Sequence, residues 1–165
     1  DIIVNCATSP YRDTHQTDIL GLQRIIELAK TAGVEHLLHI SIVGTDHIPL
    51  TYYRQKVMTE EIVSASGVPY TISRITQFHT LLDQLFTLLT SRRWLPMIPL
   101  PRQAYAQTIA PTDAAALLLP HILAPPAGRL PDIGGPEILS FEDMIAQWAT
   151  VTGKHRPIWQ LPVLG

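Results

Sequence analysis

The feature that most constrains this chain is a stop-and-restart signal written twice, at Gly33-Val34 and Gly67-Val68. Each glycine follows a helical pattern, at residues 17–32 and 52–65, and supplies the left-handed residue that ends a helix. Each valine opens the approach to a short apolar run, at residues 37–41 and 70–74. The first helical pattern places Ile19, Leu22, Ile25, Ile26 and Ala29 on one side. With residues 2–6 as an opening strand, the order is β-α-β-α-β. That order predicts parallel strands joined by right-handed helical crossovers, a doubly wound α/β sheet.

The second half changes character, since 11 of the 14 prolines lie from Pro96 onward. Helices are predicted over 78–92 and 112–122, with a strand at 130–133. Ser140-Phe141-Glu142-Asp143 reads as an N-cap with an acidic N3 residue, opening a helix that Gly153 ends. The domain reading is a sheet domain at 1–94 and a small α/β lobe at 95–165. Arg92-Arg93 at a helix end suits the helix dipole, Asp113 reads as a cap, and Trp94, Trp148 and Trp159 read as packing residues of the lobe.

Composition removes several classes of function. Hydrophobic residues are 46% of the 165, enough to build a core, which excludes wholesale disorder. The net charge of −2 includes no basic stripe, so no nucleic-acid partner is expected. One cysteine, Cys6, excludes a disulfide scaffold, and its place in a strand suggests a small buried hydrophobe. The longest apolar stretch, residues 114–123, is broken by Pro120 and is too short for a bilayer. No signal-peptide layout opens the chain, so the expectation is a cytoplasmic protein without a membrane partner. A homo-oligomer is compatible with the sequence. The chain starts on a hydrophobic run without Met, which suggests a piece of a longer protein.

Tyr52-Tyr53-Arg54-Gln55-Lys56 carries the chemistry. Tyr52 and Lys56 are four residues apart on a helix and share a face. An ammonium beside a phenol favours the phenolate, and a phenol so tuned exchanges protons with an alcohol or carbonyl oxygen. The helix follows the strand ending at Ser41. The first strand runs into Ala7-Thr8-Ser9-Pro10 and the third into Ile75-Thr76-Gln77. Three polar loops therefore gather at the carboxyl edge of the sheet, where doubly wound folds bind ligands. Among seven histidines, His36 and His39 face opposite sides of a strand, so no metal site is expected.

Residues 1–78 resemble the extended and atypical short-chain dehydrogenases/reductases, especially the NmrA-like group. The resemblance rests on Asp1-Ile2-Ile3-Val4-Asn5-Cys6-Ala7, on Gly21, Glu27, Ala29 and Gly33-Val34, and on Leu38-His39-Ile40-Ser41. It continues through Tyr52-x-x-x-Lys56 and Arg74-Ile75-Thr76-Gln77-Phe78-His79, with Thr112-Asp113 and Gly134-Gly135-Pro136-Glu137 as further landmarks. It implies a Rossmann fold, NAD or NADP as cofactor, a small-molecule substrate and hydride-transfer or epimerase-type chemistry. Tyr52 would be the acid/base, Lys56 would hold the nicotinamide ribose and Ser41 would polarise the substrate oxygen. Ala7, Thr8, Ser9, Ser41, Ile42, Tyr52, Lys56, Ile75, Thr76, Gln77 and Phe78 would line the cofactor cleft, with His79 and Thr45 toward substrate. The alternative implied by the same group is a non-catalytic sensor that binds NADP and regulates a partner. Two departures stand out. No Gly-x-x-Gly-x-x-Gly loop occurs in the 165 residues; it would lie upstream, so this stretch alone is expected to bind NADPH weakly. Asp18 stands where extended members place a proton-relay asparagine.

Overall fold

A computed structural model describes residues 1–10, 12–92, 94 and 96–161. Arg93 and Leu95 lie outside the described residues, so nothing is assigned to Arg93 as a helix-end charge. The described chain divides into two compact units. Asp1–Thr76 and Thr112–Ile133 form the first, Gln77–Pro111 and Gly134–Gly165 the second. The boundary read at residue 94 divides the chain differently, because residues 112–133 return to the first unit.

In the first unit, β1 (Ile2–Asn5), β2 (His36–Ile42) and β3 (Tyr70–Ile75) are parallel neighbours. Their register pairs Ile3 with Leu37 and Leu37 with Tyr70. Ile3, Leu37 and Ile72 share one face with Asn5, His39, Ser41 and Arg74, since side chains alternate along a strand. A wide π-helical turn, His15–Leu20, runs into α1 (Gly21–Thr31), and α2 is Thr51–Ser64. Leu22, Ile26 and Ala29 of α1 and Val63 of α2 pack with Leu37, Val68 and Ile72 into one core. Full burial of each larger side chain there is worth about 1.5–3 kcal/mol. Both helices end as the sequence predicts: Gly33 has φ +66° and Val34 N–H returns to the Ala29 carbonyl at 2.9 Å.

The strand expected at 130–133 is displaced. The paired strand is β6 (Gly128–Arg129), which extends the parallel sheet beside β3. Leu130 and Ile133 continue to donate to the Ile72 and Arg74 carbonyls, but Pro131 has no N–H and interrupts the ladder. Helix α4 (Pro111–Leu123) leads into this edge and holds Asp113 in its first turn.

In the second unit, α3 (His79–Ser91) and α5 (Phe141–Thr152) enclose a core with β4 (Ile98–Pro101) and β8 (Ile158–Leu161). Strands β4 and β8 are parallel, while β5 (Tyr105–Ala106) and β7 (Leu139–Ser140) are antiparallel. Phe86 and Trp148 meet edge-on at 5.8 Å, and Trp148 Nε1 donates to Asp83 at 2.8 Å. Trp94 and Trp159 are exposed, against the expectation that all three tryptophans pack. Ser140 caps α5 as expected, its hydroxyl accepting from Asp143 N–H at 3.0 Å. Gly135 has no substitute, since a Cβ there would stand 1.8 Å from the Thr108 carbonyl oxygen.

Candidate active site at the carboxyl edge of the sheet

The first unit gathers its polar side chains on the α2 side of the sheet. The buried stripe of α2 is Lys56, Thr59, Glu60 and Val63, polar at three of its four positions. Each of the three polar residues finds a partner.

Thr59 anchors a chain of hydrogen bonds whose direction follows from counting protons. Its hydroxyl donates to the Lys56 carbonyl at 2.7 Å, so His39 Nε2 donates to Thr59 Oγ1 at 2.9 Å. His39 Nδ1 then accepts from Asn5 Nδ2 at 3.1 Å, and Asn5 Oδ1 accepts from Ala7 N–H at 3.2 Å. His39 is neutral in this scheme. Burial, aided by the Lys56 ammonium, pushes its pKa down to about 3. The result is a fixed loop after β1.

Glu60 binds Arg74 through Nε at 2.9 Å and Nη2 at 2.7 Å, and Asp46 binds the same guanidinium, with Nη2 to Oδ1 at 2.9 Å. Arg74 holds the Asp46 carboxyl below the usual carboxylate range, while the two carboxylates raise the guanidinium further. Ser41 donates to Glu60 Oε1 and is 1% exposed. The hydroxyl expected to polarise a substrate oxygen and to line the cofactor cleft is thus engaged with Glu60 inside the first unit.

Lys56, 3% exposed, lies 3.6 Å from Asp18 Oδ1. Burial pushes its pKa below the ordinary lysine value, against the pull of Asp18 and Glu60. Asp18, 2% exposed, accepts from Thr8 Oγ1 at 2.6 Å and from Ser9 N–H at 2.9 Å. Tyr52, on the face it shares with Lys56, bonds Thr8 Oγ1 at 2.8 Å. Thr8, Ser9, Tyr52 and Lys56 are thus brought together, with Asp18 at their centre. Sequence reasoning noted Asp18 only as a replaced asparagine. It is buried beside Ile19 in the π-helical turn.

The other predicted residues are placed as follows. Ala7 is exposed, Ile42 half-buried and Ile75 buried, all at or near strand ends. Thr76 has a buried hydroxyl oxygen without a partner. Thr45 lines a cavity of about 440 Å³ with Asp46, His47, Arg54 and Val57. Arg54 and Val57 stand on the side of α2 away from Tyr52 and Lys56, so that cavity is separate from the tyrosine. Gln77, Phe78 and His79 belong to the second unit, where Gln77 and His79 bond to the Ile109 backbone. His79 Nδ1 also pairs with Thr108 Oγ1 at 2.8 Å. Cys6 is exposed rather than buried. Among the described residues no three His, Cys, Asp or Glu side chains gather as metal ligands, and no helix is long and apolar enough to cross a membrane.

No family model matches the sequence. Over 83 residues, 47% of the chain, it is 31% identical to the photosystem II assembly factor Ycf39 of Cyanophora paradoxa, and it spans 25% of that protein. Among solved structures, UDP-glucuronic acid 4-epimerase from Bacillus cereus in complex with NAD matches with a TM-score of 0.77 at 18% identity, over 98% of this chain and 63% of that one. The NADPH-dependent quinone oxidoreductase of Escherichia coli, complexed with NADPH, matches with a TM-score of 0.75 at 18% identity, over 98% of this chain and 54% of that one. The fold is therefore the α/β Rossmann type.

Proposed function

We propose that this chain is part of an NAD(P)-dependent enzyme of the atypical short-chain dehydrogenase/reductase type, with Tyr52 as its acid/base. One observation carries the reading. The Tyr52 hydroxyl is hydrogen-bonded at the carboxyl edge of a parallel sheet, on the helix face that also holds a buried lysine. A phenol on that edge is placed to exchange a proton with a substrate oxygen.

The donor set fits the ribose end of a dinucleotide. Thr8 and Tyr52 offer hydroxyls, Lys56 an ammonium, and Thr76 a buried hydroxyl oxygen lacking a partner. When bound, the dinucleotide supplies the hydride donor or acceptor. The protein's part is to orient a carbonyl or alcohol against Tyr52 and to move its proton. Sugar nucleotides and quinones, named for the solved neighbours, define the first substrates to assay.

The test is Tyr52→Phe in the full-length protein with NADH and NADPH. Turnover falls by about 10²–10⁴-fold while dinucleotide still binds, weakened only by the loss of one hydroxyl contact. Turnover within about threefold of the parent refutes the role. The Ycf39 match favours a second reading, since that relative is named as an assembly factor. In that reading the chain binds dinucleotide and regulates a partner without turnover. Intact binding with no turnover in either form supports it.

A further inference from the structure

The cavity beside α2 is walled by one short stretch of chain, on the side of that helix away from Tyr52. Its rim is the loop after β2, which its own hydrogen bonds hold in shape. The Gly44 carbonyl accepts from His47 N–H at 3.0 Å and from Ile48 N–H at 3.2 Å. Arg54 and Val57 close the cavity from the first two turns of α2. Its volume of about 440 Å³ falls within the range of about 300–1,000 Å³ usual for small-molecule sites. Thr45 is its buried member, 4% exposed, and the Thr45 hydroxyl oxygen has no partner among the described residues. A buried hydroxyl left unpaired destabilises the free protein, and a ligand that bonds it removes the penalty.

The charged groups decide the chemistry of the ligand. Asp46 is exposed, and both Nη atoms of Arg74 grip its carboxylate, Nη2 to Oδ1 at 2.9 Å. Each oxygen uses one lone pair there and keeps another, so Asp46 offers two fixed acceptors. Glu60 shares Arg74, and the trio carries one net negative charge. Arg129, also near Asp46, is paired with Asp132 at 3.2 Å. Arg54 supplies the opposite set. No carboxylate among the described residues pairs with it, and its Nη2 stands 3.5 Å from the Pro49 carbonyl, the far limit of a hydrogen bond. A carboxylate or phosphate would suit Arg54 but be repelled by Asp46. An ammonium would suit Asp46 but be repelled by Arg54 and Arg74. A hydroxyl both donates and accepts, so neighbouring hydroxyls on one neutral skeleton satisfy both sets. Ile48, Pro49 and Val57 give the C–H face of that skeleton an apolar wall, and His47 adds a ring nitrogen at the rim.

We propose that this cavity binds a neutral polyol of monosaccharide size, its hydroxyls shared between Asp46 and Arg54 and one of them bonded to Thr45. It is a second site, and it does not rest on the reading of Tyr52 as acid/base.

The test titrates D-glucose and myo-inositol into the full-length protein, read by saturation-transfer difference NMR. At least one binds saturably, with a Kd of about 1–10 mM, as expected of so small a ligand. Thr45→Val keeps the shape and removes the hydroxyl, so binding weakens about five- to tenfold. The urea midpoint of the free variant stays level or rises, because an unpaired buried group has gone. Arg54→Gln, at an exposed side chain, weakens binding about tenfold without touching the fold. Tyr52→Phe leaves the polyol Kd within about twofold whatever it does to turnover, so the two sites are judged apart. No saturation by either polyol below about 50 mM overturns the proposal. So does binding that ignores Thr45→Val or Arg54→Gln. Tighter binding of sodium acetate or methylammonium chloride assigns the cavity to an ion and overturns it as well. Polyol binding lost in Tyr52→Phe and kept in Thr45→Val moves the ligand to the Tyr52 side of α2, which also overturns it.

Discussion

Ser41→Ala separates a structural hydroxyl from a catalytic one. Ser41 is 1% exposed and donates to the Glu60 carboxylate. A hydrogen bond to a charged group is worth about 1.5–3 kcal/mol net. Glu60 keeps its bonds from Arg74 in the variant, so the carboxylate is not orphaned and the loss falls at the low end, about 1.5 kcal/mol. For a chain of this size that lowers Tm by about 3–6 °C. The assay is urea and thermal unfolding of Ser41→Ala beside full kinetics of the full-length protein. The stability loss appears and kcat/KM changes by less than about threefold. A loss of 100-fold or so in kcat with stability unchanged would show that the hydroxyl works on substrate and refute the reasoning.

Two further outcomes follow from the geometry. Gly135→Ala sets a methyl group 1.8 Å from the Thr108 carbonyl oxygen, so the second unit loses about 3 kcal/mol or more, read as a lowered urea midpoint. His39 stays neutral in the folded chain until about pH 3, whereas the unfolded residue protonates near its usual value of 6.5. Its folded pKa is depressed, so the unfolded state binds the extra proton and stability falls as pH drops from about 6 toward 3, by up to about 1.4 kcal/mol per pH unit. The NMR signal of the His39 ring protons, followed over the same range, stays at its neutral position; a titration near pH 6 would contradict the hydrogen-bond scheme.

Glycine–valine punctuation and apolar periodicity carry the two crossovers because those signals are local. Gly33 and Gly67 both adopt the positive φ that the pattern required. The pairing of Tyr52 and Lys56 on one face is equally local, a matter of helical spacing. What escaped sequence reasoning depends on residues far apart in the chain. Asp18 is buried in the π-helical turn His15–Leu20, where Thr8 and Ser9 of the β1 loop and Lys56 of α2 meet it, and no residue type marks such a turn as glycine marks a helix end. The engagement of Ser41 needs Glu60 from α2, which Arg74 of β3 holds in turn, and neither is near it in sequence. The buried face of α2 is mostly polar at Lys56, Thr59 and Glu60, so hydrophobic periodicity could not find it. The return of residues 112–133 to the sheet is fixed by a two-residue strand, too short to leave a pattern.

The hydrogen bonds from the Lys56 carbonyl through Thr59, His39 and Asn5 to Ala7 begin and end on the two elements that carry the site. Helix α2 bears Tyr52, and the loop that Ala7 opens bears Thr8. The strut passes under the sheet face through a neutral imidazole, whose two ring nitrogens have opposite roles and so transmit a single sense of donation. Helix and loop are therefore clamped twice, once at the rim by phenol and hydroxyl and once from below by this strut. The spacing of Tyr52 from Thr8 is thereby fixed from both sides at the edge of the sheet.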